Sequence, residues 1–142
     1  MKRSWQRVTR LGRLNSGGNM EKNRYQVSEN GVTTDTQTNL QWYVGPDKDT
    51  TWDEAKAWVE KLDVDGGGWR MPTRMELIGL YQDGKGSRNM DPIFKTTGWW
   101  VWASEIYDFS SAWYVYFYYG NDNYYTRGTS DGARAFAVRS VQ

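Results

Sequence analysis

Three groups of side chains have the types and spacing to do chemistry. Asp47, Asp49 and Asp53 lie close enough in sequence to suggest a calcium loop. Glu105 and Asp108 form a carboxylate pair of the kind a glycosidase sets across a sugar ring. The run Asp65-Gly66-Gly67-Gly68 has the backbone freedom to cradle a phosphate. Each signal is weak. The aspartates lack the glycine and terminal glutamate of an EF-hand, and Asp53 is better used at a helix start, so a solvated acidic turn is expected there. Trp69 follows the glycines where a P-loop needs Lys-Ser/Thr. Nothing fixes the separation of Glu105 and Asp108. The 142 residues contain no cysteine and no histidine, which removes disulfides, thiolate nucleophiles, imidazole bases and the commonest zinc ligands together. The expectation is a protein that is not an enzyme and uses neither metal nor cofactor.

Recognition is better represented than catalysis. Aromatic residues make up 16% of the chain, with nine Trp and ten Tyr, more than the core of one ordinary domain hides. The segment from Tyr107 to Arg134 is rich in Tyr, Ser, Asp, Asn, Gly and Arg, the composition of binding loops that gain contact area from few rotatable bonds. A contact surface is therefore expected from Trp100, Tyr107, Tyr114, Tyr116, Tyr118, Tyr119, Tyr124 and Tyr125. Asp108, Asn121, Asp122, Asn123 and Arg127 would supply polar specificity. The competing reading makes these tyrosines cross-strand pairs that only stabilise a sheet.

The elements that must position these residues follow from periodicity and turn chemistry. Strict alternation over 112–117 sends Ala112, Tyr114 and Tyr116 one way and Trp113, Val115 and Phe117 the other. Gly120-Asn121 lets the chain reverse, so that Asp122–Thr126 pairs with that strand. Upstream, short strands are expected at Arg24–Val27, Val32–Asp35 and Leu40–Val44. Thr51 with Glu54, and Thr73 with Glu76, read as capping boxes opening two helices. The first would end at Asp65–Gly68 and the second at Asp83-Gly84, with Leu77, Leu80 and Tyr81 on an apolar face. Residues 1–19 hold Lys2, Arg3, Arg7, Arg10 and Arg13 without an acid, leaving more acids than bases in the remainder. Trp5, Val8, Leu11 and Leu14 recur at about one helical turn, and Ser16-Gly17-Gly18-Asn19 is a flexible joint. The organisation expected is a basic extension over 1–19 and one α+β domain over 20–142.

Several motifs follow one another in order: Thr33-Thr34-Asp35-Thr36-Gln37-Thr38-Asn39-Leu40-Gln41-Trp42, Thr51-Trp52-Asp53-Glu54-Ala55, Gly68-Trp69-Arg70-Met71-Pro72-Thr73-Arg74-Met75-Glu76-Leu77, Trp102-Ala103-Ser104, Ala112–Phe117, and Val138-Arg139. Together they resemble the bacterial domain family DUF1566, found at the C-terminus of a Legionella collagen-like adhesin. The resemblance runs from about Arg24 to Gln142. It implies a C-type-lectin-like fold, two helices packed on short antiparallel sheets with the termini close together. Trp42, Trp52, Trp69 and Trp113 then belong to the core, because they sit in those motifs and at apolar-periodic positions. The family's two frequent cysteines correspond to Val59 and Ser140, a joint loss that suits a reducing compartment. Formylglycine-generating enzymes share the Trp-Arg-x-Pro-Thr pattern but need cysteines, so their activity is not implied. Neither are the calcium tripeptides of true lectins found. Variable proteins of diversity-generating retroelements, from phages and bacteria, use the same fold with a variable C-terminal face, and the composition of 107–134 suits such a protein.

These readings converge on a non-catalytic module that binds a glycan or protein on a cell surface. A retroelement-diversified receptor-binding protein and an assembly subunit joined through residues 1–19, as a homo-oligomer or on a particle, are the alternatives. The net charge of +1 gives no bias toward nucleic acid or membrane, and no apolar run is long enough to span a bilayer. The N-terminus lacks the apolar stretch of a secretory signal, so cytoplasmic synthesis, with display on a phage or cell surface open, is the expectation.

Overall fold

The computed structural model describes residues 24–141. The predicted basic extension over 1–19, with its short amphipathic helix, lies outside the described residues. The described chain divides into two units, one of residues 24–43, 63–68 and 138–141, the other of Val44–Leu62 and Trp69–Ala137. Among the described residues there are two α-helices and two four-stranded sheets, the second of them mixed, so the chain is α+β as its pattern predicts. This content is compatible with a C-type-lectin-like fold.

In the first unit, β1 (Tyr25–Val27) pairs antiparallel with β2 (Thr33–Asp35), and β2 with β3 (Leu40–Val44). The last strand of the chain, β8 (Phe136–Ser140), joins this sheet beside β3. Alternation here places Trp42 in the core at 1% exposure while Gln41 turns to a buried polar cluster. Gln41 donates to Thr34 Oγ1 at 3.1 Å and accepts from Arg139 Nε at 2.9 Å. Arg139 also donates to the Asp65 carbonyl at 3.1 Å and to the Gly67 carbonyl. The glycine run therefore turns carbonyls toward an arginine, the opposite of a phosphate cradle.

In the second unit both helices start where the capping boxes predict. Thr51 Oγ1 accepts from Glu54 N and Glu54 Oε1 from Thr51 N at the head of α1 (Trp52–Lys61). Thr73 and Glu76 do the same for α2 (Arg74–Ile78), with Arg70 holding Glu76 in a two-pronged pair at 2.9 and 2.7 Å. Both helices stop sooner than expected. Leu62 is extended after α1, with its N–H on the Val59 carbonyl, so Asp65–Gly68 is a separate turn. Gly79 closes α2 after five residues, and Leu80 is buried from a following turn instead of a helical face.

The second sheet has the order β6-β5-β4-β7. Its strands are β4 (Trp100–Asp108), β5 (Ser111–Tyr116), β6 (Asn121–Thr126) and β7 (Ala133–Arg134). β4–β5 and β5–β6 are antiparallel hairpin pairs, and β7 runs parallel to β4. The predicted hairpin is present, with Tyr116 opposite Asn121. The reversal occupies Phe117–Gly120, starting three residues ahead of Gly120-Asn121, which ends the strand at Tyr116 and places Tyr118 and Tyr119 on the turn. Gly120 takes φ +78, and a Cβ there would lie 2.6 Å from the Tyr81 ring, so only glycine fits. Helix α2 lies against β4, β5 and β6, and Trp52 of α1 donates its indole N–H to the Ala103 carbonyl at 2.8 Å. No helix among the described residues is long and apolar enough to cross a membrane.

Candidate binding surface

The period of two along three neighbouring strands sorts the aromatic side chains into two clusters on opposite faces of one sheet. Register puts Trp100 opposite Tyr116, Trp102 opposite Tyr114, and Ala112 opposite Tyr125, all on one face. There Trp100 is the hub. Its ring stacks on Tyr114 at 4.3 Å with 5° between planes and meets the edges of Tyr116 and Tyr125 at 6.3 and 5.6 Å. Tyr116 continues the network to Tyr118 at 5.9 Å and Tyr119 at 5.7 Å, and Tyr118 reaches Trp99 at 5.3 Å. The Arg88 guanidinium lies 4.5 Å from the centre of the Trp99 ring. Tyr118, Tyr119 and Tyr125 are 52%, 68% and 51% exposed, so a continuous aromatic face meets solvent.

One predicted contact residue changes role. Tyr114 is 7% exposed, because it is sandwiched between Trp100 above and the fully buried Trp102 at its edge. It is the floor of the surface and not part of its contact area. Burial, with Tyr116 and Tyr125 close by, pushes its phenol pKa up and keeps it neutral.

The opposite face carries the second cluster. Tyr107 and Tyr124 stack at 3.5 Å with 5° between planes, and Trp113 meets both edge-on at 6.1 and 5.2 Å. The Arg74 guanidinium lies 3.7 Å over Trp113 and reaches Glu105 at 3.5 Å and Asp122 at 3.4 Å. Two expectations are corrected here. Trp113 is half-buried under an arginine and not a core residue, because α2 covers only part of this face. Tyr107 and Tyr124, expected in one surface with Trp100, are separated from it by the thickness of the sheet.

The predicted polar partners are mostly engaged. Asp108 Oδ1 accepts from Ser110 N at 2.9 Å and shapes the β4–β5 turn. Asp122 faces Arg74. Arg127 bonds Asp53 at 2.6 Å and lies 4.5 Å over Trp52, fastening the end of β6 to the start of α1. Asn123 is exposed but caps the Tyr124 N–H at 2.8 Å, and Asn121 is exposed beside the turn. Glu105 receives the Arg74 backbone N–H at 3.1 Å in addition to the guanidinium. Both members of the carboxylate pair thus have structural partners.

Reading the sequence missed how the hub is held in place. Arg134, 8% exposed, donates to Asp47 at 2.7 Å, to Asp49 at 3.0 Å and to Thr97 Oγ1 at 3.1 Å. Asp47 also accepts the Thr97 N–H at 2.9 Å, and Asp49 the Gly132 N–H at 3.1 Å. The acidic turn is exposed, as expected, but its carboxylates also clamp the segment that leads into Trp99 and Trp100. Gly98 fits between because a Cβ would lie 2.4 Å from the Arg134 side chain. The Thr97 N–H, then Arg134, hold the Asp47 carboxyl down at about 2, and Asp49 is lowered by Gly132 N–H and Arg134 in the same way. Trp99, which precedes β4 and joins the face through Tyr118 of the turn, was missed as well. Long-range ion pairs such as Arg134 with Asp47 leave no local signal. Among the described residues no group of three His, Cys, Asp or Glu side chains could hold a metal ion.

The model of a protein family described as the Lcl C-terminal domain, that of the Legionella collagen-like protein, matches residues 31–141. A comparison with curated proteins finds no match.

Proposed function

We propose that this chain, which belongs to the Lcl C-terminal domain family, is a non-catalytic adhesin-type module that captures a glycan or protein on a cell surface. The contact area is the aromatic face of Trp100, Tyr116, Tyr118, Tyr119 and Tyr125. The observation that carries this reading is the continuity of those rings in solvent, on a rigid floor of Tyr114 and Trp102. Rings preorganised by one another lose little side-chain freedom on binding and offer flat apolar faces with hydroxyl rims. Such a face suits the C–H faces of a sugar or an exposed protein epitope. The lectin-like relationship and the retroelement-diversified reading rest on motif resemblance and on the composition of 107–134.

A panel of immobilised glycans and extracellular proteins, probed with the full chain, tests the proposal. Capture should be lost in Tyr118→Ala/Tyr119→Ala with the melting curve unchanged. Retention of every captured ligand by that variant excludes this face. For the absence of catalysis, the support is that Glu105 and Asp108 are committed to Arg74 and Ser110. Turnover of a glycan that disappears in Glu105→Gln would contradict it. An assembly role for residues 1–19 is tested by light scattering on the full chain and on residues 20–142, where equal oligomeric states would remove it.

A further inference from the structure

Among the described residues no strand pairs with the outer side of β6, and Asp122 is the one charge on it. Of the other outer strands, β7 has two residues and β1 three, while β8 has four of its five residues buried. β6 has six residues in unshifted register with β5 and contains no Lys, Arg or Pro. Edges of this length and flatness are templates for another strand. Which backbone groups face outward follows from the ladder. Arg127 N donates to the Ser110 carbonyl at 2.9 Å, so with the register Asn121, Asn123 and Tyr125 point their peptide groups at β5. Asp122, Tyr124 and Thr126 point theirs away. The Thr126 carbonyl is already taken by Thr129 N at 3.0 Å, and the Arg127 carbonyl by Trp52 N at 3.1 Å, which closes that end. The usable edge is 121–125, centred on Asn123.

We infer that β6 pairs antiparallel with β6 of a second copy of this chain, about a two-fold axis through Asn123. This register sets Asp122 opposite Tyr124 of the second copy, so their outward N–H and C=O groups exchange four hydrogen bonds across the axis. The single charge of the strand, Asp122, then meets a tyrosine and never a second acid in direct opposition. The Tyr107–Tyr124 stack, 49% and 38% exposed on each copy, is brought beside the seam, where a second copy covers it. Asn123 Oδ1, which now holds the Tyr124 N–H, is the one local contact that must yield. An isologous pairing of this kind closes after two copies and leaves no further edge. Because the axis stands perpendicular to the joined sheets, the Trp100 faces of both copies look the same way. Two-point attachment to a surface then follows, a consequence that rests on the proposed function, whereas the dimer does not.

Sedimentation of the full chain across a wide concentration range tests the pairing without any ligand. A reversible dimer of the 16.6 kDa chain is expected, and Asn123→Lys, which sets two lysines face to face, should be monomeric with an unchanged melting curve. The absence of native cysteine permits a register test. Asn123→Cys should oxidise to a disulfide-linked dimer, since a non-hydrogen-bonded pair sits about 4.5 Å apart at Cα. Asn121→Cys should not, its two copies being offset by about 13 Å along the strands. A monomer at all concentrations overturns the inference and leaves the edge to a foreign strand. A dimer that survives Asn123→Lys, or crosslinking equal in the two cysteine variants, overturns it as well.

Discussion

Tyr119 and Arg134 mark the two kinds of residue this surface needs, one that touches and one that holds. Tyr119 is 68% exposed and rests on its neighbours by edge contacts only. Tyr119→Ala should change stability by no more than about 0.5 kcal/mol, while loss of an interface anchor weakens capture about 30-fold. Parallel melting curves and binding titrations read both numbers. Arg134 behaves in the opposite way. Its carboxylate partner Asp47 titrates near 3.8 in an unfolded chain and about 2 in the folded one, so the folded state favours the ionised form. The stability this gives is complete above about pH 4 and is lost as pH falls toward 2. Asp47→Asn should therefore lower the melting temperature near neutral pH and flatten the acid limb between about pH 4 and 2, as measured by calorimetry at stepped pH.

At the level of elements, local chemistry was legible and long-range chemistry was not. Thr51 with Glu54 and Thr73 with Glu76 are written within four residues of one another, and both caps are found where they were expected. Thr51→Ala or Thr73→Ala should each cost about 1 kcal/mol in a denaturant titration. The end of α1 was misplaced because glycine was taken as the stop signal, whereas Leu62 leaves it in an extended conformation that no residue type announces; α2 does stop at a glycine, but at Gly79 and not at Asp83-Gly84. The hairpin was legible from alternation, but not the turn of Phe117–Gly120, which depends on Tyr81 packing against Gly120 and on Asn89 donating to the Phe117 carbonyl at 3.0 Å. Gly120→Ala should cost about 2 kcal/mol through the positive φ and the crowded ring, and a melting curve within error of the parent would count against this turn. Alternation also failed to say that both faces of β5 would be covered in part. Val115 and Ala112 point opposite ways and are equally buried, which is how Tyr114 and Trp113 exchanged their expected roles.

For the whole molecule, the fold class was legible because five of the eight short strands and both capped helices leave a local trace. The site was legible as a population of residues and illegible as a surface. Composition identified the tyrosines, but only the pairing of β4, β5 and β6 divides them into an open face around Trp100 and a second cluster under Arg74. Recognition by the first face alone depends on that division. Its most direct test compares capture by the two faces on one ligand panel, with Tyr118→Ala/Tyr119→Ala on the first and Tyr107→Ala on the second. The prediction is that the first variant loses capture at an unchanged melting temperature and that Tyr107→Ala retains it. Loss of capture in Tyr107→Ala alone, with the Tyr118/Tyr119 variant binding as the parent does, would contradict it.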